Sequence, residues 1–309
     1  MALLFMSEAD PVEPWRHAIL AELPDLDFRI WPDQVGDPSD IDIALVWRPP
    51  PGELARYPNL KAILSLGAGI DSMIGDDTFP DLPLARMVDP SMTSTMADYI
   101  LLAALRHHRQ FDLFEREQRA GRWTFVFPKR AEDRTVGIMG LGVLGDAAAR
   151  KLRDHGFDVR GWSRSPKTIQ GVQCFHGQND LVSFLGDTEI LICLLPLTPD
   201  TRGILNTSVF AALPREACLI NAARGAHLVE GDLIDALDRG HLGAATLDVF
   251  QTEPLPEDSP LWQHDKILIT PHVASYCVPE TAAKGVVDNI KRACSGQPLH
   301  HQVNRNQGY

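Results

Sequence analysis

Short apolar runs with the length of β-strands alternate with amphipathic segments along most of the chain, and this alternation constrains the fold most. The first series contains Ala2–Met6, Phe28–Trp31, Ile43–Trp47, Ala62–Leu66 and Leu84–Met87. The second series contains Thr135–Met139, Asp158–Trp162, Ile190–Leu195, Cys218–Asn221, Ala244–Phe250 and Ile267–Thr270. Strands that alternate with helices form parallel sheets covered by helices. We therefore expect an α/β protein with doubly wound parallel sheets.

The two series of strands predict two domains, since a chain of 309 residues exceeds what one core usually serves. A helical pattern without Gly or Pro runs from about Ser94 to Ala120 and is long enough to cross between domains. Pro279–Cys294 also has a helical pattern, and we expect this helix to return to the first domain. The prediction is a discontinuous first domain, 1–97 with 279–309, and a second domain, 98–278.

Charge and cysteine usage exclude several classes of protein. A net charge of −12 at pH 7 repels nucleic acid and anionic lipid, which argues against both as partners. The cysteines are odd in number and lack C-x-x-C spacing, which indicates reduced thiols and neither a disulfide framework nor a metal site. No apolar run approaches the roughly 20 residues of a membrane-spanning helix. We expect a cytoplasmic protein.

A glycine-rich turn follows the strand Thr135–Met139 and precedes a helical pattern. Its sequence runs from Gly140 to Gly145, with Gly142, Val143 and Leu144 between them. Such turns also occur as simple connections, but a strand before and a helix after favour a dinucleotide site. Gly140 permits the tight turn, Gly142 lets backbone N–H groups approach a pyrophosphate, and Gly145 allows close packing of helix and strand.

The next strand ends where an NAD enzyme usually places an acid for the ribose hydroxyls. Ser163, Arg164 and Lys167 stand there, and no acid occurs between Val159 and Asn179. A cationic turn with a hydroxyl can bind a 2′-phosphate, so NADPH is favoured, with NADH possible. The alternative is a solvated basic loop.

Three later strands each end in a different polar residue. Arg224, Glu253 and His272 follow these strands, and the carboxyl ends of parallel strands meet at one crevice. Arg224 has three interpretations, a surface charge, a structural ion pair or a clamp for a carboxylate. His272 is either a core histidine or, if it contacts Glu253, a proton donor to a developing alkoxide. Together with the glycine turn, this set suits hydride transfer to a carbonyl.

The chain resembles the D-isomer-specific 2-hydroxyacid dehydrogenases. The matching segments are Leu66–Asp71, Gly140–Gly145, Leu195–Pro199, Asn221–Gly225, Leu247–Phe250 and Thr270–His272. Within this family it is most similar to the glyoxylate/hydroxypyruvate reductase A branch, through Val46–Pro50, Glu253–Pro256, Ser259–His264 and Gly308-Tyr309. The resemblance implies a flavodoxin-like substrate domain, a Rossmann NAD(P)-binding domain, and reduction of glyoxylate or hydroxypyruvate to glycolate or D-glycerate.

The resemblance also implies roles for individual residues. Arg224 would hold the substrate, His272 would be the general acid and Glu253 would keep it oriented and protonated. Other substrate contacts would be Trp47, Arg48, Gly67, Ala68 and Gly69. Further cofactor contacts would come from Leu195, Pro196, Thr198, Ala222, Ala223, Asp248, His272 and Ala274.

Partner and rival functions follow from the same resemblance. The family usually forms homodimers through the cofactor domain, and the loop 121–128 is typical of an arm that crosses to the partner. Trp123 could reach the neighbouring active site or pack under its own loop. The alternatives to this reductase are another 2-hydroxyacid specificity and a nucleotide-sensing, corepressor-like binding protein.

Overall fold

The computed structural model describes residues 1–305, so the terminal pair Gly308-Tyr309 lies outside the described residues. The chain forms two compact units, which are described separately. The first unit contains Met1–Met92 and the chain from Cys277 onward, and the second contains Thr93–Tyr276. The helices, in chain order from α1 to α9, are Val12–Glu22, Asp71–Ile74, Pro90–His108, Phe111–Arg119, Val143–His155, Leu181–Leu185, Thr207–Ala212, Glu230–Asp238 and Pro279–Cys294.

The first unit contains one parallel sheet of five strands. Strands β1 to β5 are Ala2–Met6, Asp27–Ile30, Ile41–Val46, Ala62–Ser65 and Leu84–Ala85. Their spatial order is β2-β1-β3-β4-β5, and all the pairs are parallel. This is the flavodoxin-like order. In β1, Leu3 and Phe5 contribute to one apolar cluster, while Leu4 and Met6 contribute to another. Because side chains alternate along a strand, both faces of this sheet are covered.

The second unit contains a parallel sheet of seven strands. Strands β6 to β12 are Thr135–Met139, Asp158–Ser163, Gln173–His176, Ile190–Cys193, Ala217–Asn221, Leu242–Leu247 and Ile267–Ile269. Their spatial order is β12-β11-β10-β9-β6-β7-β8. The order reverses between β6 and β9, as in a Rossmann fold. This reversal lies at the glycine turn that follows β6. The predicted α/β class with doubly wound parallel sheets is confirmed in both units.

Two predictions about secondary structure are wrong. The helical pattern from about Ser94 to Ala120 forms two helices, because α3 ends at His108 and α4 begins at Phe111. Gln110 between them has φ 55°, a left-handed conformation that interrupts a right-handed helix. The second sheet has seven strands rather than six, since β8 was missed. Its residues are exposed or half-buried, so it lacks the apolar pattern of the other strands.

All the other predicted strands form, with ends displaced by a few residues, and helix α9 has the predicted bounds. The buried runs explain this agreement, because every residue of β1, β4 and β9 is buried. Burying one large aliphatic side chain stabilises the folded state by about 1.5–3 kcal/mol. Fully apolar runs are therefore placed inside a sheet, where both faces of the strand are buried. Within residues 1–305, no helix combines the length and the apolar character that crossing a membrane requires.

Candidate active site

The glycine turn after β6 has three glycines with three different surroundings. Gly140 has φ 103°, and a Cβ there would lie 2.5 Å from the carbonyl oxygen of Leu194. A Cβ at Gly142 would meet no heavy atom within 4 Å. A Cβ at Gly145 would overlap the carbonyl oxygen of Gly140. The turn is therefore closed by backbone at Gly140 and Gly145, and it is open beside Gly142.

This turn fits a dinucleotide. Helix α5 begins at Val143 with Gly142 as its N-cap residue, so its first N–H groups lie beside the open space. A helix N-terminus attracts phosphate through these N–H groups and the helix dipole. Val143 is exposed, while Leu144 packs against the core. Asp146 in the first turn would oppose an anion, but its carboxylate accepts a 2.8 Å hydrogen bond from Arg150, which offsets its charge.

The turn after β7 carries the predicted determinants of the 2′-phosphate. Ser163 is the last residue of β7 and is buried, and its hydroxyl donates a 2.8 Å hydrogen bond to the carbonyl of Ser165. Arg164 and Lys167 are both exposed. The serine therefore shapes the turn, while the two cations lie on its surface. This arrangement is compatible with a phosphate ligand held by the cations.

The Leu195–Thr198 turn after β9 is held by one threonine. The Thr201 hydroxyl donates to the Pro196 carbonyl at 2.7 Å, and the Thr198 amide donates to the Thr201 hydroxyl oxygen at 2.8 Å. Leu195 is buried and Pro196 is exposed. The turn thus has a fixed shape and one exposed edge.

Arg224 lies in a loop after β10 that Asn221 organises. The Asn221 side-chain amide donates to the Arg224 carbonyl at 3.1 Å, and its oxygen accepts from the Ala223 amide at 3.2 Å. Arg224 is half-buried, and its guanidinium donates to the Ala223 carbonyl at 2.7 Å. Ala222 and Ala223 are buried. The backbone of the loop is therefore fixed, and the arginine is its partly accessible cation.

His272 and Glu253 are in contact, as their proposed chemistry requires. The distance from His272 Nδ1 to Glu253 Oε2 is 2.8 Å. The other oxygen of Glu253 accepts a 3.0 Å hydrogen bond from the Phe250 amide, which fixes the carboxylate. His272 has φ 57°, a conformation that is uncommon for residues other than glycine. Such strain persists where surrounding contacts hold a residue in place.

Asp248 supplies those contacts. Its buried carboxylate accepts hydrogen bonds from the Thr270 hydroxyl at 2.6 Å, the Val273 amide at 2.9 Å and the Ala274 amide at 2.9 Å. The His272 amide also donates to the Asp248 carbonyl at 2.8 Å. We predicted Asp248 as a cofactor contact, and in the structure both of its carboxylate oxygens bind the loop that carries His272.

Backbone hydrogen bonds connect the Arg224 and His272 loops. The Asp248 amide donates to the Asn221 carbonyl at 3.0 Å, so the ends of β10 and β11 are joined directly. Asn221 therefore binds the arginine loop through its side chain and the end of β11 through its carbonyl. Sequence reasoning missed this residue. Its position at the end of a buried apolar strand was the available signal.

The predicted substrate residues of the first unit lie after β3 and β4. A Cβ at Gly67 would overlap the ring of Trp47, so only glycine permits this packing. The Arg48 guanidinium lies 5.4 Å from the centroid of the Trp47 ring. Ser65 Oγ donates to the Gly67 carbonyl at 3.0 Å and accepts from the Gly67 amide at 3.1 Å. Ala68 and Gly69 are half-buried in the same loop. The five predicted residues thus belong to two neighbouring loops.

Within residues 1–305, no group of three or more His, Cys, Asp or Glu side chains could hold a metal ion. The second unit brings together an arginine, a histidine–glutamate pair and a glycine-rich turn. These residues can orient an anion, donate a proton and bind a nucleotide.

Comparisons with known proteins agree with this description. Residues 101–274 match the model of the "D-isomer specific 2-hydroxyacid dehydrogenase, NAD binding domain". The chain is 44% identical over 303 residues to a glyoxylate/hydroxypyruvate reductase A of Serratia proteamaculans, covering 96% of each chain. It is 41% identical over 315 residues to the protein of the same name from Yersinia enterocolitica, covering 100% of both.

Solved structures give the same result. A D-isomer specific 2-hydroxyacid dehydrogenase from Xanthobacter autotrophicus Py2, in complex with NADPH and MES, has a TM-score of 0.95 and 50% identity, covering 100% of this chain and 99% of the other. An NADPH-dependent glyoxylate/hydroxypyruvate reductase from Sinorhizobium meliloti, in complex with NADP and sulfate, has a TM-score of 0.93 and 40% identity over 100% of both chains. The resemblance inferred from the sequence is confirmed, and the chain belongs to the D-isomer specific 2-hydroxyacid dehydrogenase family.

Proposed function

We propose that the protein reduces a small 2-oxo acid, glyoxylate or hydroxypyruvate, to the 2-hydroxy acid with NADPH. The observation that carries this proposal is the 2.8 Å contact between His272 and Glu253 at the carboxyl end of the sheet that carries the dinucleotide turn. Similarity to reductases of this name, at 41–44% identity, supports the choice of substrate.

His272 is the proton donor in this proposal. The Glu253 carboxylate lies 2.8 Å from Nδ1 and orients the ring, so that Nε2 is the nitrogen available to the substrate. The proton on Nε2 is then delivered to the carbonyl oxygen as negative charge develops there. The contacts of Asp248 with residues 270–274 hold the ring in its orientation.

Arg224 binds and aligns the substrate. Its guanidinium matches a carboxylate in two parallel hydrogen bonds, and its charge also stabilises a developing alkoxide. In the first unit, the N–H groups of Ala68 and Gly69 act as a small anion nest. Trp47 and Arg48 are proposed to contact the substrate side chain. Trp47 packs beside Gly67 and Arg48 lies over the Trp47 ring, which supports a small, polar specificity.

The cofactor proposal follows from the two turns of the second unit. Bound NADPH supplies the hydride that reduces the carbonyl carbon. The open side of Gly142 accommodates the pyrophosphate, and Arg164 with Lys167 binds the 2′-phosphate. Leu195, Pro196, Thr198, Ala222, Ala223 and Ala274 surround the remaining cofactor surface in this proposal. The structures of relatives with bound NADPH or NADP support the preference over NADH.

The test is the initial rate of NADPH and of NADH oxidation with glyoxylate, hydroxypyruvate, pyruvate and phenylpyruvate. We expect fast NADPH oxidation with the first two acids and slower reaction with NADH. His272→Ala should retain NADPH binding and lose turnover by about 10²–10⁴-fold, the usual contribution of a general acid. Nucleotide binding without turnover of any acid would instead favour a nucleotide-sensing protein.

We also propose that the chain is a cytoplasmic homodimer. The odd number of cysteines supports a reducing compartment. The loop 121–128 carries three strongly exposed aromatic side chains, Trp123, Phe125 and Phe127. A contiguous exposed apolar patch commonly marks a protein interface. In this proposal the loop covers the partner subunit, and Trp123 extends toward the partner's active site.

A further inference from the structure

One face of helix α3 contacts both ends of the loop that carries His272. The Tyr99 hydroxyl lies 2.7 Å from the Thr270 hydroxyl oxygen. One helical turn earlier, the Thr95 hydroxyl accepts a 3.1 Å hydrogen bond from the Tyr276 amide and donates to the Tyr276 carbonyl at 3.3 Å. Residues four apart lie on the same face of a helix. The helix therefore holds the loop at its beginning and at its end.

The hydrogen bonds at Tyr99 run in one direction. The Thr270 hydroxyl donates to the Asp248 carboxylate at 2.6 Å, so its single proton is used there. The contact between Tyr99 and Thr270 is then made by the proton of the tyrosine. Burial raises the pKa of Tyr99 to about 12, so this proton is present at neutral pH. Tyr99 thus donates to Thr270, and Thr270 donates to Asp248.

Asp248 extends this series of hydrogen bonds to the catalytic loop. Its carboxylate accepts from the amides of Val273 and Ala274, which directly follow His272. Its carbonyl accepts from the His272 amide at 2.8 Å. Because His272 has φ 57°, its backbone conformation depends on such contacts. A donor that fixes one side of this network therefore bears on the position of His272.

The packing of Tyr99 does not need its hydroxyl. The ring is partly buried against an apolar cluster that includes Ile192, Ile220 and Ala274. A phenylalanine ring would fill the same space, but it would leave the Thr270 oxygen without this donor. The hydroxyl is the part of the side chain that acts on the loop.

We propose that Tyr99 is a positioning residue, which orients the general acid His272 from helix α3. Thr270 and Asp248 transmit the contact, and Thr95 holds the other end of the same loop. Proton transfer requires the acid within hydrogen-bond reach of the substrate oxygen, so a looser loop slows the reaction more than it weakens binding. This inference rests on the proposed function, because it takes His272 as the general acid.

Removal and retention of single hydroxyls test this proposal in the full-length protein. Tyr99→Phe removes the donor, Thr270→Val interrupts the series of hydrogen bonds, and Thr270→Ser keeps it. Kinetics with glyoxylate and NADPH give kcat and KM, and fluorescence titration gives the affinity for NADPH. Tyr57→Phe is the matched control, since Tyr57 is a buried tyrosine of the first unit whose hydroxyl donates to the Glu53 carboxylate at 2.9 Å.

We expect Tyr99→Phe and Thr270→Val to lower kcat about three- to tenfold, the effect of about one neutral hydrogen bond. KM and the affinity for NADPH should change by less than about twofold, since the lost contact acts in the transition state. Thr270→Ser should recover most of the kcat that Thr270→Val loses. The double variant Tyr99→Phe/Thr270→Val should be no slower than Thr270→Val, because both changes remove the same link.

Tyr57→Phe should lower the melting temperature and keep the wild-type kcat. A merely structural role for Tyr99 would give this same result in Tyr99→Phe. The proposal is overturned if Tyr99→Phe keeps the wild-type kcat, or if it weakens NADPH binding as much as it lowers kcat.

A second measurement separates this proposal from the proposed function. A wild type without turnover of any 2-oxo acid would contradict the proposed function, and the position of His272 is then followed by its modification with diethyl pyrocarbonate. Peptide mass spectrometry gives the rate at each histidine. Tyr99→Phe should raise the rate at His272 about threefold, as one lost hydrogen bond allows, and leave the rate at the exposed His17 unchanged. Equal rates at His272 in both proteins would overturn the positioning role.

Discussion

At the scale of single residues, two glycines of the same turn should respond to a methyl group in opposite ways. A Cβ at Gly142 enters open space, whereas a Cβ at Gly145 overlaps the Gly140 carbonyl oxygen. Gly142→Ala should therefore melt like the wild type and bind NADPH at least tenfold more weakly. Gly145→Ala should lose about 1–3 kcal/mol of stability, as overpacked sites do. Calorimetry and nucleotide titration of both variants test this, and unchanged NADPH affinity in Gly142→Ala would contradict the assigned turn.

Glu253 should matter for turnover more than for binding. Glu253→Gln keeps a side chain of the same shape beside His272 but removes the negative charge that faces the ring during proton transfer. We expect kcat to fall about 10²-fold, within the range of general acid catalysis, while KM changes little. Glu257→Gln, an exposed glutamate nearby in the chain, is the control and should keep wild-type kinetics. A large rise in KM with constant kcat would show that Glu253 serves substrate binding.

The residue scale also shows what the sequence could reveal about the site. Strand ends and residue types predicted Arg224, Glu253 and His272, and the structure places the last two in contact. Asn221 was not predicted, because the hydrogen bonds of its side chain run to backbone groups, the Arg224 carbonyl and the Ala223 amide. Backbone partners leave no mark in the sequence.

At the scale of elements, the turn after β7 should set the choice of cofactor. Arg164 is exposed at the end of a buried strand, and a guanidinium binds phosphate in a bidentate manner. Arg164→Ala should weaken NADPH about 10-fold and leave NADH unchanged, with the difference shrinking at high salt. Arg239→Ala, at an exposed position directly after α8, is the control. If Arg164→Ala lost affinity for NADPH and for NADH equally, a contact between Arg164 and the 2′-phosphate would be contradicted.

Helix α3 carries a histidine that should make folding sensitive to acid. Burial lowers the pKa of His107 from 6.5 to about 3. The unfolded chain therefore binds a proton more readily, so stability is present above about pH 6.5 and is lost as the pH falls toward 3. In His107→Gln this loss should be smaller by up to about 1.4 kcal/mol per pH unit.

Urea unfolding between pH 7 and pH 4.5 measures the acid sensitivity of both proteins. His17→Gln, an exposed position on α1, should show the wild-type dependence on pH. If the unfolding free energies of His107→Gln and the wild type change with pH in the same way, His107 is not held in a buried, neutral state in solution.

Elements also differ in how far the sequence determines them. Buried strands such as β1 and β6 were predicted with the observed bounds, because a continuous apolar run of strand length is typical of a strand that is buried on both faces of a parallel sheet. Strand β8 and the break at Gln110 were missed. An edge strand with exposed residues gains its hydrogen bonds from β7 alone, and Gln110 has no intrinsic preference for a left-handed turn. Tertiary contacts decide both features.

At the scale of the whole molecule, each unit has an apolar cluster on both faces of its own sheet. Neither sheet therefore depends on the other unit for a core. The alternation of strands and helices in the sequence was sufficient to predict both parallel sheets. The resemblance to a family supplied the specific orders of strands, since composition and periodicity alone do not fix the topology. The functional conclusion likewise needed residues at particular strand ends rather than the fold class.

Association of two chains should depend on the aromatic loop. Phe125 is 73% and Phe127 84% exposed, and their rings pack edge to face at 5.0 Å. Leaving such a pair in water is unfavourable, so a second copy of the chain is expected to cover it. The double variant Phe125→Ser/Phe127→Ser should sediment as a 34.2 kDa monomer while the wild type sediments at twice this mass. Val182→Ser, another exposed apolar position, should remain dimeric.

Substitution of Trp123 distinguishes a role of this residue in dimer assembly from a role in catalysis. Its side chain is 99% exposed, so it does not pack under its own loop, which was one of the two interpretations of the sequence. If it contacts substrate in the partner subunit, Trp123→Ala should remain dimeric and raise KM for glyoxylate about tenfold, because a lost aromatic contact is worth roughly 1 kcal/mol or more. If it only buries area between subunits, the variant should dissociate more readily, with normal KM in the remaining dimer. Sedimentation and kinetics at the same protein concentration distinguish the two roles.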